Sequence, residues 1–286
     1  MSSTRTIAFF GATGDCAGYC LAASLRNEYT CTALARSPQK LQDSLSAKGI
    51  SAETQTRFLT ITQGDVRDVE AVRTVLHPRT NSTIATTASE TRAVDLIISG
   101  IGPTAFKLHL NPLAPIGLVD STICRDASKT ILSALESSSS SSPSSPFDPP
   151  KNNNKPQKPL LINISTTGIP APACPRDIPL LYIPLYRWLL HHPHVDKAEM
   201  ERNLRQYMSD DATRKEKVIS GFVNVKPTLL TNGDGIGWER LRFGVESEPA
   251  VGWRVARRDV GEWVFERIIR REVPGGWVGR GVTLAN

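Results

Sequence analysis

The sequence predicts an α/β protein: a doubly wound parallel sheet with a small C-terminal lobe. Two observations carry this expectation. Short apolar, strand-like runs alternate with helix-like segments through the first two thirds of the chain, the pattern of βαβ units whose sheet is covered on both faces. The run TIAFF, residues 6–10, leads directly into the glycine-rich stretch GATGDCAG, residues 11–18, the punctuation of a tight strand-to-helix turn. At 286 residues the chain is long enough to bury a large single core.

Taken in order, the expected strands are TIAFF (6–10), TCTALAR (30–36), FLTITQGD (58–65), DLIISGIG (95–102), LLINIST (160–166) and GFVNVKP (221–227). Helices are expected over about 16–27, 38–47, 68–76, 119–136 and 194–208. Residues 136–159 are nearly all Ser, Pro, Asn and Lys, cannot assemble a core, and are expected to form a disordered insertion within the domain. Beyond residue 227 the pattern becomes less regular. RRDVGEWVFERIIRR then places Val260, Val264 and Ile268 at helical spacing, with Asp259 as the expected N-cap. A last strand, RGVTLA (280–285), is expected to close the sheet or join a small lobe made from about 167–196 and 228–257.

Composition narrows the function. Hydrophobic residues at 40% and charged residues at 22% are ordinary for a globular protein, and no apolar run approaches a membrane span. The first residues run straight into a strand, so no signal peptide and a cytoplasmic location are expected. Five cysteines without a repeating CxxC spacing predict reduced, mostly buried thiols. The net charge of +6 could suit nucleic acid, but the basic residues are scattered, and attraction for a phosphorylated small molecule explains the balance equally well.

The turn at 11–18 has the parts of a pyrophosphate cradle. A first glycine reverses the chain, a second admits a phosphate to the backbone, and a small residue packs the helix close. Gly11, Gly14 and Ala17 or Gly18 supply them; Thr13, Asp15 and Cys16 complete the expected contacts, with the helix N-terminus aimed at the anion. Asp15 sets a carboxylate near that anion, and its expected role is a charge favoured by the helix dipole. Cys16 is read as a packing residue, the alternative being a thiol activated by the helix N-terminus. The second strand ends in Arg36, Ser37 and, one turn on, Lys40, not in the acidic residue that reads NAD ribose hydroxyls; this selects NADP(H). Asp65 and Val66 end the third strand beside an adenine, and Ser99, Gly100, Ile101 and Gly102 pass close to a ribose.

These motifs, with ALARSPQKL, GDVRD, STTG, DKAEMERNL, VNVKPTLLTNG and ARRDVGEWVFERI, resemble the NmrA-like group of atypical short-chain dehydrogenase/reductases over all but the Ser/Pro insertion. The resemblance implies a Rossmann-type fold, bound NADP(H) and a small C-terminal substrate lobe. It implies that Lys197 contacts the nicotinamide ribose or moves a proton, and that Pro227, Thr228 and Leu229 pass over the carboxamide. The group contains reductases, isomerising enzymes and non-catalytic redox sensors.

The Tyr-x-x-x-Lys pair that sets the proton donor's pKa in ordinary short-chain enzymes is missing here. The remaining catalytic candidates are Lys197, Ser165 and Thr166 at the end of the fifth strand, and Tyr186 in the apolar segment LLYIPLYRWLL. The bland alternative for Lys197 is a solvated pair with Glu201 at i+4. The expected activity is NADPH-dependent reduction of a small to medium apolar carbonyl or conjugated compound. A dinucleotide sensor or a cofactor-retaining isomerase or epimerase is the alternative. No metal site is expected at His191, His192, His194 and Asp196, no nucleic acid or membrane partner is expected, and the chain is expected as a monomer or homodimer.

Overall fold

The computed structural model describes residues 5–78, 92–103, 106–108, 116–118, 120–139, 158–188, 191–210 and 216–286. The chain begins with β1 (Thr6–Phe10), α1 (Asp15–Arg26), β2 (Thr30–Ala35), α2 (Pro38–Ala47), α3 (Ala52–Phe58), β3 (Leu59–Gln63), α4 (Val69–Leu76) and β4 (Leu96–Ser99). It continues through β5 (Phe106–Leu108), β6 (Ile116–Leu118), α5 (Ile123–Ser139), β7 (Leu160–Ile164), α6 (Ile183–Trp188) and α7 (His191–Ser209). The last elements are β8 (Gly221–Pro227), β9 (Leu229–Thr231), β10 (Arg242–Val245), β11 (Arg254–Ala256), α8 (Arg257–Val264) and β12 (Arg280–Ala285).

Eight strands form one sheet in the order β10-β12-β8-β7-β4-β1-β2-β3. Every neighbouring pair is parallel except β10 with β12. The order reverses at β1, between β2 and β4, which opens a crevice at the carboxyl ends of those strands. Side-chain alternation splits each central strand between two cores. Ile7 and Phe9 of β1 pack with α1, α2 and α8, while Ala8 and Phe10 pack with α4, α5 and α7 on the opposite face.

Local chemistry starts the helices. Ser37 Oγ accepts from Lys40 N at 3.4 Å, with Pro38 opening α2. Ser51 caps α3 through Thr54 N at 3.1 Å, and Asp68 caps α4 through Glu70 N and Ala71 N. The start of α5 is capped from another element: the buried Asp196 carboxylate of α7 accepts from Cys124 N at 2.8 Å and Arg125 N at 3.0 Å.

Two expectations about elements are corrected, and one helix appears where none was expected. The N-cap of α8 is Ala256, and Asp259 instead accepts from Ile236 N at 2.9 Å and Gly237 N at 3.3 Å, pinning the preceding loop. Helix α5 continues to Ser139, into the range expected to be disordered; residues 140–157 of that insertion lie outside the described residues. The segment 52–58 is a helix that the apolar pattern does not show. Within the ranges expected for the lobe, β9 pairs in parallel with β11 as a separate two-stranded sheet, whereas β10 is the edge of the main sheet. Strand β12 lies in the main sheet beside β8. Among the described residues no helix is long and apolar enough to cross a membrane.

Candidate functional site

A cleft of about 590 Å³ opens over the carboxyl ends of β1, β2, β3, β4 and β7. Its floor is the turn from β1 to α1. Gly11 has φ +74°, and a Cβ there would stand 2.8 Å from the carbonyl carbon of Gly100, so both the backbone conformation and the space exclude a side chain. Gly14 N donates to Gly11 O at 3.0 Å, and Gly14 is the N-cap of α1 with no side chain to satisfy the first turn's amides. A Cβ on Gly100 would lie 2.5 Å from Ala17 Cβ, which explains the small residues on both sides of the β4–α1 contact. Gly11, Thr13, Gly14, Asp15, Cys16 and Ala17 all line the cleft.

The carboxylate of Asp15 is bound by Lys48 Nζ at 3.3 Å. Burial pushes the Cys16 thiol up to about 12, against the lowering charges of Arg257 and Lys197, so desolvation outweighs the helix N-terminus and the activated-thiol alternative is corrected.

Along the next strand ends, Arg36, Asp65, Val66, Gly100, Ile101 and Gly102 line the cleft. Three residues of that expected set do not: Ser37 is spent on capping α2, Lys40 is exposed on that helix, and Ser99 is buried within β4. The sequence reading missed an ionic group at this end. Arg67 grips Asp120 at 2.7 and 2.8 Å and Asp126 at 2.9 and 3.0 Å. Hydrogen bonds from Arg67 hold Asp120 below its ordinary value against desolvation, aided by the Thr122 amide and by the charges of Arg67 and Arg36.

At the far end, Ser165, Thr166, Tyr186, His194 and Lys197 come together. Lys197 Nζ donates to Ile164 O at 2.7 Å and Ser165 O at 3.4 Å; the surface pair with Glu201 does not form. Glu201 is buried and accepts from Ser165 Oγ at 2.5 Å, so the serine hydroxyl expected to polarise a carbonyl is bound to this carboxylate. Burial raises the Glu201 carboxyl, opposed by Lys226, by the Ser165 hydroxyl and by Arg205. Lys226, itself fully buried, binds Ile169 O, Glu201 at 3.4 Å and Glu246 at 3.7 Å, and Arg205 closes the cluster on Glu246.

Gly168, at φ +86°, admits the aromatic wall. A Cβ there would meet Tyr186 Cδ1 at 2.6 Å and His194 Nε2 at 3.1 Å. Tyr186 Oη lies 3.4 Å from Thr167 Oγ1, and burial raises its phenol above the ordinary value. The carbonyl of Thr167 can only accept, so at 3.0 Å His194 Nε2 carries the proton of that hydrogen bond. The same two rings border a second chamber of about 270 Å³, lined by Pro170, Ile178, Ile183 and Gly168 with Arg176 and Asp177.

Thr228, Leu229 and Leu230 form the opposite wall, and Pro227 lies behind it with its carbonyl bound by Thr167 N. Thr228 Oγ1 is buried without a hydrogen-bond partner among the described residues. His191 and His192 are described in backbone only; His194 and Asp196 point to different tasks, a strand-end carbonyl and the α5 cap. His194, Arg67, Asp120 and Arg257 are cleft residues that sequence reasoning did not select. Only Arg257 had a local signal, a cation opening a helix whose dipole disfavours it.

No family model matches the chain. It is 38% identical over 288 residues to Reductase pytE of Aspergillus terreus, covering 99% of this chain and 98% of that protein. It is also 38% identical over 301 residues to Oxidase pynE of Aspergillus niger, covering 99% of each. Among solved structures, yeast methylglyoxal/isovaleraldehyde reductase Gre2 complexed with NADPH matches at a TM-score of 0.56 and 10% identity, over 96% of this chain and 76% of that one, a likeness of fold. With relatives matched over the whole length at 38% identity, the chain belongs to the family of these two fungal proteins, one named a reductase and the other an oxidase, and its sheet is of the Rossmann type.

Proposed function

We propose that this protein is an NADPH-dependent reductase of the atypical, NmrA-like short-chain type, cytoplasmic, acting on a small to medium apolar carbonyl or conjugated compound. The observation that carries the reading is the continuity of one cleft, from Arg36 through the Gly11–Gly14 turn to Thr166, Tyr186 and Lys197. The residues fit the coenzyme. Uncapped amides of α1 suit a diphosphate, Arg36 suits a 2′-phosphate, and the orphaned Thr228 hydroxyl suits a carboxamide at the far end.

When bound, the coenzyme supplies a hydride to the acceptor carbon. The acceptor oxygen then needs one proton. The Tyr186 phenol carries a proton on the cleft wall, which makes it the donor we assign, and Thr166, which follows β7, lines the same cleft. Lys197 spends two N–H groups on the carbonyls of residues 164 and 165 and retains a third for a ribose hydroxyl. The adjoining chamber, apolar on Pro170, Ile178 and Ile183, takes the body of the substrate.

NADPH consumption with a panel of ketones, quinones and enones tests this reading. Activity on at least one, lowered about 100-fold or more in Tyr186→Phe with coenzyme affinity kept, is expected. One observation favours the sensor alternative: the Ser165 hydroxyl is held by Glu201 rather than offered to a substrate. A sensor binds both redox forms with distinguishable affinity and turns over neither.

A further inference from the structure

Resting on this coenzyme reading, we propose that Arg257 is a second clamp on the coenzyme diphosphate, reaching it from α8 across the cleft from the glycine turn. Helix α8 lies unusually close to α1: a Cβ on Gly261 would stand 2.4 Å from Cys16 O and 2.8 Å from Cys20 N. Arg257 precedes Gly261 by four residues, so the two share the helix face turned to α1. The packing that buries Gly261 against Cys16 therefore carries the guanidinium of Arg257 to the N-terminal end of α1, where it lines the same cleft as Gly11, Thr13 and Gly14.

Its partners set it apart from its neighbour. Arg258 is paired with Glu262 at 2.9 Å and faces Asp234 at 3.9 Å. Arg257 is oriented by a neutral group, donating from Nη1 to Asn232 Oδ1 at 2.6 Å, and no carboxylate pairs with it among the described residues. A cation as the first residue of a helix is disfavoured by the dipole, and the one carboxylate of this turn, Asp259, is turned to Ile236 N and Gly237 N instead. An anion shared with the amides of α1 removes that conflict, and a planar guanidinium fixed at one edge presents its remaining donors to two phosphoryl oxygens. The geometry also explains Asn232, whose amide holds the fork in place from the loop after β9.

The assignment separates two arginines by the phosphate each reads. Arg36 reads the 2′-phosphate, present only in NADP(H), whereas Arg257 reads the diphosphate common to both coenzymes. Calorimetric titrations of wild type, Arg257→Met, Arg257→Lys and Arg36→Ala with NADPH, NADH and adenosine 2′-monophosphate test this. Arg257→Met is expected to weaken NADPH and NADH by the same factor, about 10-fold to 100-fold, and to leave adenosine 2′-monophosphate unchanged. Arg257→Lys, which keeps the charge and loses the fork, is expected to fall between. Arg36→Ala is expected to weaken NADPH and adenosine 2′-monophosphate while sparing NADH. Unchanged affinity of Arg257→Met for both coenzymes, beside a wild type that binds them, overturns this inference alone. Equal weakening of adenosine 2′-monophosphate also overturns it, since that probe has no diphosphate. A wild type that binds neither coenzyme overturns the coenzyme reading together with it.

Discussion

The thiols of this protein separate by burial rather than by position in a motif. Cys16 sits in the first turn of α1, yet desolvation pushes it up to about 12, and Cys20 and Cys31 are raised by the same cause. Cys124, pushed up to about 12 by burial, is further raised by Asp196 and only partly offset by Lys197. Iodoacetamide at pH 7.5 is therefore expected to label Cys174, which is only half-buried, well before the other four. Mass mapping that finds Cys16 labelled first contradicts this. At Gly11 the constraint is steric as well as conformational. Gly11→Val forces a β-branched residue to φ +74° and drives its Cβ into the Gly100 backbone. A loss of about 2–4 kcal/mol in urea unfolding is expected, together with loss of dinucleotide binding.

Between elements, the joint with most at stake is the buried ionic cluster that ties α7 and β8 to the start of β10's following turn through Glu201, Lys226, Arg205 and Glu246. Lys226→Met leaves two buried carboxylates without their central cation, at a cost of about 3–5 kcal/mol. The pH dependence has a definite sign. Burial holds the Glu201 carboxyl above its unfolded value, so its contribution to stability is present below the ordinary carboxylate value and is lost as pH rises through the raised one. Removing Lys226 takes away a charge that lowers Glu201 and raises it further. The deficit of Lys226→Met in thermal melts is thus expected to be larger at pH 8 than at pH 5; a deficit independent of pH contradicts the assignment. Asp259→Ala removes the acceptor for Ile236 N and Gly237 N and is expected to cost about 1–3 kcal/mol, read as a lowered unfolding midpoint.

These elements also show what sequence reasoning reaches. GFVNVKP is legible to the residue, because a run that is apolar apart from Asn224 and Lys226 ends at a proline that cannot donate. The turn at Gly11–Gly14 is legible because its chemistry is local. Helix α3 is not: AETQTRF buries only Gln55, leaving no apolar stripe to read. Strand β10 escapes for a similar reason, with an exposed first half and pairing to a strand about forty residues away. The ionic cluster is invisible because its members stand at 201, 205, 226 and 246 and meet only once the sheet has formed. Asp259 shows the converse failure: its position suggests a cap, but a loop from 236–237 claims the carboxylate. The partner of the Ser165 hydroxyl is equally illegible, since Glu201 reaches it from α7.

For the whole molecule, one topological fact organises the chemistry. The reversal of strand order at β1 brings the ends of β1, β2, β3, β4 and β7 to one crevice, and the later segments supply its opposite wall with Thr228, Leu230 and Arg257. Family membership rests on the fungal reductase- and oxidase-named relatives, while the proposed preference for NADPH rests on this chain's own Arg36. Calorimetric titration of the wild-type protein with NADPH and NADH measures that choice most directly. The account predicts saturable one-to-one binding with NADPH favoured by about tenfold or more, a preference that Arg36→Ala abolishes. No heat and no rise in melting temperature with either nucleotide at about millimolar concentration, or a preference for NADH, contradicts it.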